Sequence, residues 1–120
     1  MYKLRVRAHF EAGHYLPWHP KCKEQHGHTY YCQFVVGSEQ LNENGIVMDL
    51  SVLGAICRGI VGQLDHTNLN DSFENPTVEV VSEWLYQGLA EALKAGEYKQ
   101  VGVVEVIVRE GAGGEVVYDG

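Results

Sequence analysis

Cysteine is scarce. Three thiols in 120 residues, an odd number at irregular spacing, exclude a disulfide framework and fit reduced side chains. Long hydrophobic runs are missing altogether, so no membrane-spanning segment is expected. Cationic residues are in the minority. Lys and Arg number 9 against 16 Asp and Glu, for a formal charge of −7 at pH 7, and they form no basic block. That balance argues against nucleic acid as the main partner. Met1 to Arg7 carry charges where a secretory signal needs an apolar stretch, so a cytoplasmic location is the expectation. Repeats, linkers and low-complexity tracts are absent too. What remains is an apolar fraction of 45%, enough for a core, in a length that suits one domain over residues 1–120.

Leu4, Val6, Ala8 and Phe10 alternate with Lys3, Arg5, Arg7 and His9, the period-two pattern of a half-buried strand. A loop with Pro17, Pro20 and Cys22 follows. Aromatic and β-branched residues from His28 to Gly37 predict a second strand. Asn42 to Gly45 signals a turn, and Ile46 to Met48 is expected to return beside that strand. Leu53, Ile56, Cys57, Ile60, Val61 and Leu64 recur at helical spacing, with Asp49 or Ser51 as N-cap. Gly54, Gly59 and Gly62 weaken this helix and are expected to permit close packing on a sheet. A second helix is expected to start at Asn75 and Pro76, with Asn75 as cap, and to run to Gly96. Val101 to Glu110 alternates again, Gly111 to Gly114 turns, and Glu115 to Tyr118 returns. The fold class predicted is α+β, a four-stranded antiparallel sheet with two helices on one face. Its open edges invite pairing with another subunit.

The chemistry concentrates between His14 and His28. His26 and His28 stand at i and i+2, on one face of a strand, and His14 ends an alternating stretch that can pair with them. Three imidazoles leave one position of a tetrahedral zinc open, the arrangement of a catalytic ion and not a structural one. Cys22 is then either a fourth ligand or a reactive group. His9 reads as an outer-face side chain and His19 as a loop residue. Cys32 and Cys57 read as inert core thiols. The adjacent Asp65 and His66 can share a proton or orient an imidazole; equally, they can serve only as a helix cap and dipole partner. Glu110 is either a solvated strand end or an acceptor for paired N–H donors. Lys21 and Lys23 make a small cationic region around Cys22.

Seven segments occur in one order: Phe10 to His14, Cys22 to His28, Gly45 to Asp49, Leu64 to His66, Leu69 to Asp71, Glu74 to Thr77, and Glu110. Together they strongly resemble the 6-pyruvoyl-tetrahydropterin synthase family over nearly the whole chain. The three residues between Cys22 and His26 resemble the carboxytetrahydropterin-forming branch, which acts in queuosine and deazapurine biosynthesis; the pyruvoyl-forming branch typically has five. The resemblance implies a tunnelling fold, with subunits joined into a barrel as trimers or hexamers and active sites between them. It implies 7,8-dihydroneopterin triphosphate as substrate, and zinc on His14, His26 and His28 as a Lewis acid toward the side-chain hydroxyls. It further implies Cys22 as general base, Asp65 and His66 as the partner relay, and Glu110 as the anchor of the pterin ring, with Thr77 as a further ring contact. Lys21, Lys23 and Arg58 are candidates to offset the triphosphate charge. Gly111 and Val78 depart from the residues frequent in the family at those places.

Overall fold

Two long strands set the frame. In a computed structural model, which describes all of residues 1–120, β1 (Tyr2–His14) and β2 (His26–Ser38) pair antiparallel along their whole length. The pairing runs from Tyr2 opposite Ser38 to His14 opposite His26. The chain continues through α1 (Leu50–Gly62), β3 (Thr67–Asn68), a single 3-10 turn at Leu69–Asp71, α2 (Val78–Ala95), β4 (Gly102–Glu110) and β5 (Val116–Tyr118). The sheet order is β3-β1-β2-β4-β5.

The sheet therefore has five strands and is mixed, where the sequence predicts four antiparallel ones. The extra strand, β3, runs parallel to β1 and pairs Thr67 and Asn68 with Ala12 and Gly13. Two residues carry no alternation from which a strand can be read. Ile46 to Met48 form no strand, although Val47 and Met48 are buried in the core. β2 already has β1 on one side and β4 on the other, so it has no edge to offer. Asn42 takes the local backbone instead: its Oδ1 accepts the Asn44 and Ile46 N–H groups at 2.9 and 3.2 Å, and its N–H donates to the Ile46 carbonyl at 2.8 Å.

Period-two alternation puts Phe10, Ala12, Tyr30, Cys32, Phe34, Val106 and Val108 on one face, where α1 and α2 bury them under Leu53, Cys57, Val61, Val81, Leu85 and Leu89. The other face stays open, with Lys3, Arg5, Arg7, His9, Tyr31 and Arg109 exposed. A 13-residue strand spans about 43 Å. The 18 residues of α2 span about 27 Å. The long strands thus outrun the helix that covers them.

Asp49 caps α1, accepting the Ser51 N–H at 2.8 Å. The cap of α2 is Thr77 and not Asn75: its Oγ1 accepts the Val80 N–H at 3.1 Å, which leaves Pro76 outside the helix. The helical glycines do not serve close packing on the sheet. A Cβ at Gly59 or Gly62 would meet open space, and one at Gly54 would meet only the Arg58 side chain. No helix is long and apolar enough to cross a membrane.

Candidate metal centre and active site

His14 lies opposite His26 in the β1–β2 register, and His28 follows two residues along the same face. The core face thus ends in three imidazoles. One ring nitrogen from each lies within 4.8 Å of the others, and the rings meet edge to face with centroids 4.6, 4.7 and 5.4 Å apart. His14 is buried, and its Nδ1 lies 2.9 Å from the Pro76 carbonyl. His26 Nδ1 lies 2.7 Å from the Glu24 carbonyl. A carbonyl only accepts, so both rings donate from Nδ1, which leaves Nε2 as the nitrogen through which the neutral imidazole can bind a metal. His14 Nε2 and His28 Nε2 are buried with no hydrogen-bond partner. Such an orphan costs about 1–3 kcal/mol, and a cation at the point of convergence removes that cost. Burial is the main cause that lowers the pKa of His28. Glu110 opposes it, and the neighbouring His26 and His14 reinforce it. The neutral imidazole that a metal requires is thereby favoured. These three residues can hold a metal ion.

Glu110 reaches the same spot because it ends β4 opposite Tyr30. Its carboxylate lies 3.6 Å from His14 Nε2 and 3.8 Å from His28 Nε2, too far for a hydrogen bond. Its Oε2 is buried and unpartnered, as is the Tyr30 hydroxyl. Burial, then the Glu110 charge, pushes the Tyr30 phenol well above its ordinary value, with Cys22 adding to the effect. Tyr30 is stacked on Phe10 at 4.7 Å.

Cys22 is half-buried in the loop between β1 and β2 and lies outside the three-histidine ligand set. Leu16 donates its N–H to the Cys22 carbonyl at 2.6 Å. Lys21 and Lys23 flank it, both exposed.

Asp65 and His66 lie beyond the end of α1, in a turn laced onto β1. Asp65 Oδ1 accepts the Glu11 N–H at 2.9 Å, and His66 donates its own N–H to the Glu11 carbonyl at 2.6 Å. The Glu11 N–H is the largest cause holding the Asp65 carboxyl below its usual range, and His66 adds to it. His66 Nδ1 sits 3.0 Å from Asp65 Oδ2 with the ring 76% exposed, and the C-cap of α1 is Gln63. His66 adopts φ 58°, the left-handed region, which turns it off the helix. A cleft of about 540 Å³ lies between His66 and His28, lined also by Glu11, Gly27 and Thr29. Cys22 does not line that cleft and makes no hydrogen bond to Asp65 or His66. Thr77 is engaged as the α2 cap, and Arg58 lies along its own helix over Gly54.

Sequence reasoning missed Tyr30, although it continues the spacing of His26 and His28 on one face. It also missed the carbonyls of Pro76 and Glu24, for which no side-chain signal exists, and the main chain of Glu11.

A helix-backed sheet whose core face ends in convergent imidazoles beside a strand-end carboxylate defines an enzyme of the tunnelling-fold class. The solved structure of the Caenorhabditis elegans 6-pyruvoyl tetrahydropterin synthase shares this fold, with a TM-score of 0.85 at 20% identity over 99% of this chain and 95% of that one. The chain belongs to the 6-pyruvoyl tetrahydropterin synthase family, whose sequence profile matches residues 3–120. It is 44% identical over 91 residues to the 6-carboxy-5,6,7,8-tetrahydropterin synthase of Synechocystis, covering 69% of this chain and 70% of that one. The Bacillus subtilis protein of the same name is 32% identical over 119 residues, 91% of this chain and 79% of that one. The dihydroneopterin monophosphate aldolase of Pyrococcus furiosus is 37% identical over 91 residues, 76% of this chain and 77% of that one.

Proposed function

We propose that this chain, as one synthase domain over residues 1–120, is a zinc-dependent lyase. It converts 7,8-dihydroneopterin triphosphate and water into 6-carboxy-5,6,7,8-tetrahydropterin, acetaldehyde and triphosphate, in queuosine and deazapurine biosynthesis. The observation that carries this reading is the set of unpartnered buried groups, His14 Nε2, His28 Nε2 and Glu110 Oε2, converging at one end of the sheet. The names of the Synechocystis and Bacillus relatives support the product.

His14, His26 and His28 hold the ion, and zinc bound there lends Lewis acidity to the hydroxyl oxygens of the substrate side chain. Glu110 accepts two N–H groups from the pterin ring edge, a charge-assisted pair that fixes the ring's orientation. Thr77 adds a ring contact. Cys22 is the general base that removes a proton from a side-chain carbon. Asp65 orients His66, which returns a proton across the cleft. Lys21 and Lys23 offset the triphosphate. The ring gains the electrons that the side chain as a whole gives up in becoming a carboxyl group and acetaldehyde, so no nicotinamide is consumed. The protein acts in the cytoplasm as a homo-oligomer, a trimer or hexamer, with no nucleic-acid or membrane partner.

The test is a product assay on the zinc-loaded protein. Acetaldehyde and a carboxylated pterin are expected in equal amounts. A pyruvoyl product without acetaldehyde would assign the chain to the other branch of the family. Turnover of dihydroneopterin monophosphate instead would make it an aldolase. Stoichiometric zinc with no turnover would make it a binding protein. Cys22→Ala is expected to keep its zinc and lose about 10²–10⁴-fold in kcat. Undiminished turnover in that variant would reject proton abstraction by the thiol.

A further inference from the structure

The loop from Tyr15 to Gln25 must hold a thiol in place without regular structure. Its first half is fastened to a neighbouring segment. Tyr15 exchanges two hydrogen bonds with the Asn70 side chain, at 2.8 and 3.0 Å, and Trp18 Nε1 donates to Asn75 Oδ1 at 3.0 Å. The second half depends on the loop itself. His19 Nδ1 accepts the N–H groups of both Lys21 and Cys22, each at 3.1 Å. An acceptor two and three residues upstream of its donors plays the part that Asn or Ser plays at the start of a turn or helix. Two N–H donors on one nitrogen require a lone pair there, which assigns the ring N–H to Nε2. His19 is itself held: its N–H donates to the Leu16 carbonyl at 3.0 Å, and its ring stands edge-on to Trp18 at 5.7 Å. Pro20 narrows its backbone freedom. Asn75, which anchors Trp18, precedes the Pro76 whose carbonyl orients His14. One bonded path thus joins the support of a metal ligand to the backbone of Cys22.

We propose that His19 is a positioning residue whose Nδ1 lone pair sets the direction of the Cys22 thiol. Its consequence for turnover rests on the reading of Cys22 as the proton-abstracting group. Three variants separate the acceptor from the ring. His19→Asn places Oδ1 where Nδ1 stood, His19→Gln moves the polar atom one bond outward, and His19→Ala removes it. Each is measured for zinc content, for kcat and KM, and for the alkylation rate of Cys22 by iodoacetamide. Asn is expected within about threefold of the parent in both rates. Ala and Gln are expected to keep their zinc, to change the alkylation rate by at least about threefold, and to lose about 10–100-fold in kcat with little change in KM. Parental rates in Ala and Gln, or an Asn variant as impaired as Gln, would overturn the proposal. Should Ala not fold, the contrast between Asn and Gln decides the question by itself. Failure of the catalytic reading is separable, because Cys22→Ala would then retain turnover while the alkylation rates still report whether His19 sets the thiol.

Discussion

One chemical group, the thiol, sits here in three surroundings. Cys32 and Cys57 are buried in the core, where desolvation pushes both up to about 12; the two thiols reinforce the effect at Cys32, while Arg58 opposes it at Cys57. At pH 8 that leaves about one in ten thousand as thiolate. Cys22 is half-buried in a loop between two lysines. Native protein treated with iodoacetamide at pH 8 is therefore expected to carry label on Cys22 alone, and unfolded protein on all three, as read by peptide mass mapping. Label on Cys32 at a comparable rate would show that the β2–α1 packing opens readily. This contrast was legible in the sequence, because apolar periodicity places Cys32 and Cys57 inward and prolines place Cys22 in a loop. The convergence of His14, His26 and His28 was legible for the same reason, since a two-residue spacing on paired strands leaves little choice of face. The groups that orient them were not. The Pro76 and Glu24 carbonyls are backbone, identical in every residue, and reach the rings only through the tertiary fold. His19 read as an ordinary loop residue because its hydrogen bonds depend on a turn that the sequence does not spell out.

At the scale of elements, the start of α2 shows how a shift of two residues reassigns function. With the cap at Thr77, Asn75 is free to accept from Trp18 and the Pro76 carbonyl is free to face His14. A helix begun at Asn75 would turn both inward upon itself. Thr77→Ala is expected to cost about 1 kcal/mol, which lowers the melting temperature by about 4 °C. Thr77→Asn should restore the melting temperature, because Asn caps as well as Thr. Asn lacks the hydroxyl, so the proposed ring contact predicts that KM for the pterin stays raised about fivefold in that variant. A parental KM would leave Thr77 with the cap alone. The order of strands and helices was readable because β1, β2, α1 and α2 are long enough for their periods to repeat. β3 was not, being two residues set by the capture of a turn on the free edge of β1. The failed strand at Ile46 to Met48 follows from competition: apolar residues alone cannot add a strand to one already paired on both sides.

The whole molecule is elongated, with extents of 52 × 23 × 20 Å and a radius of gyration of 15.3 Å. A compact chain of this length has about 13.6 Å. The excess comes from long strands that outrun their helices and from an outer sheet face with no cover. β1 meets β3 only at Ala12 and Gly13, so its edge from Tyr2 to Phe10 is unpaired, and β5 offers a second edge across the sheet. Two different edges of one subunit can pair head to tail, and such contacts close into a ring when the rotation between subunits closes, as the proposed oligomer requires. The proposed chemistry asks for the same thing. His66 is 76% exposed in an open cleft, and a proton relay that must exclude water needs a second wall. Native mass spectrometry is therefore expected to show a trimer or hexamer of the 13.4 kDa chain. Specific activity should fall on dilution in step with dissociation, while the proposed zinc should stay bound, since its three candidate ligands all come from one subunit. A monomer with full activity at every concentration would refute both the closed ring and the shared wall, and would leave the cleft to work exposed to solvent.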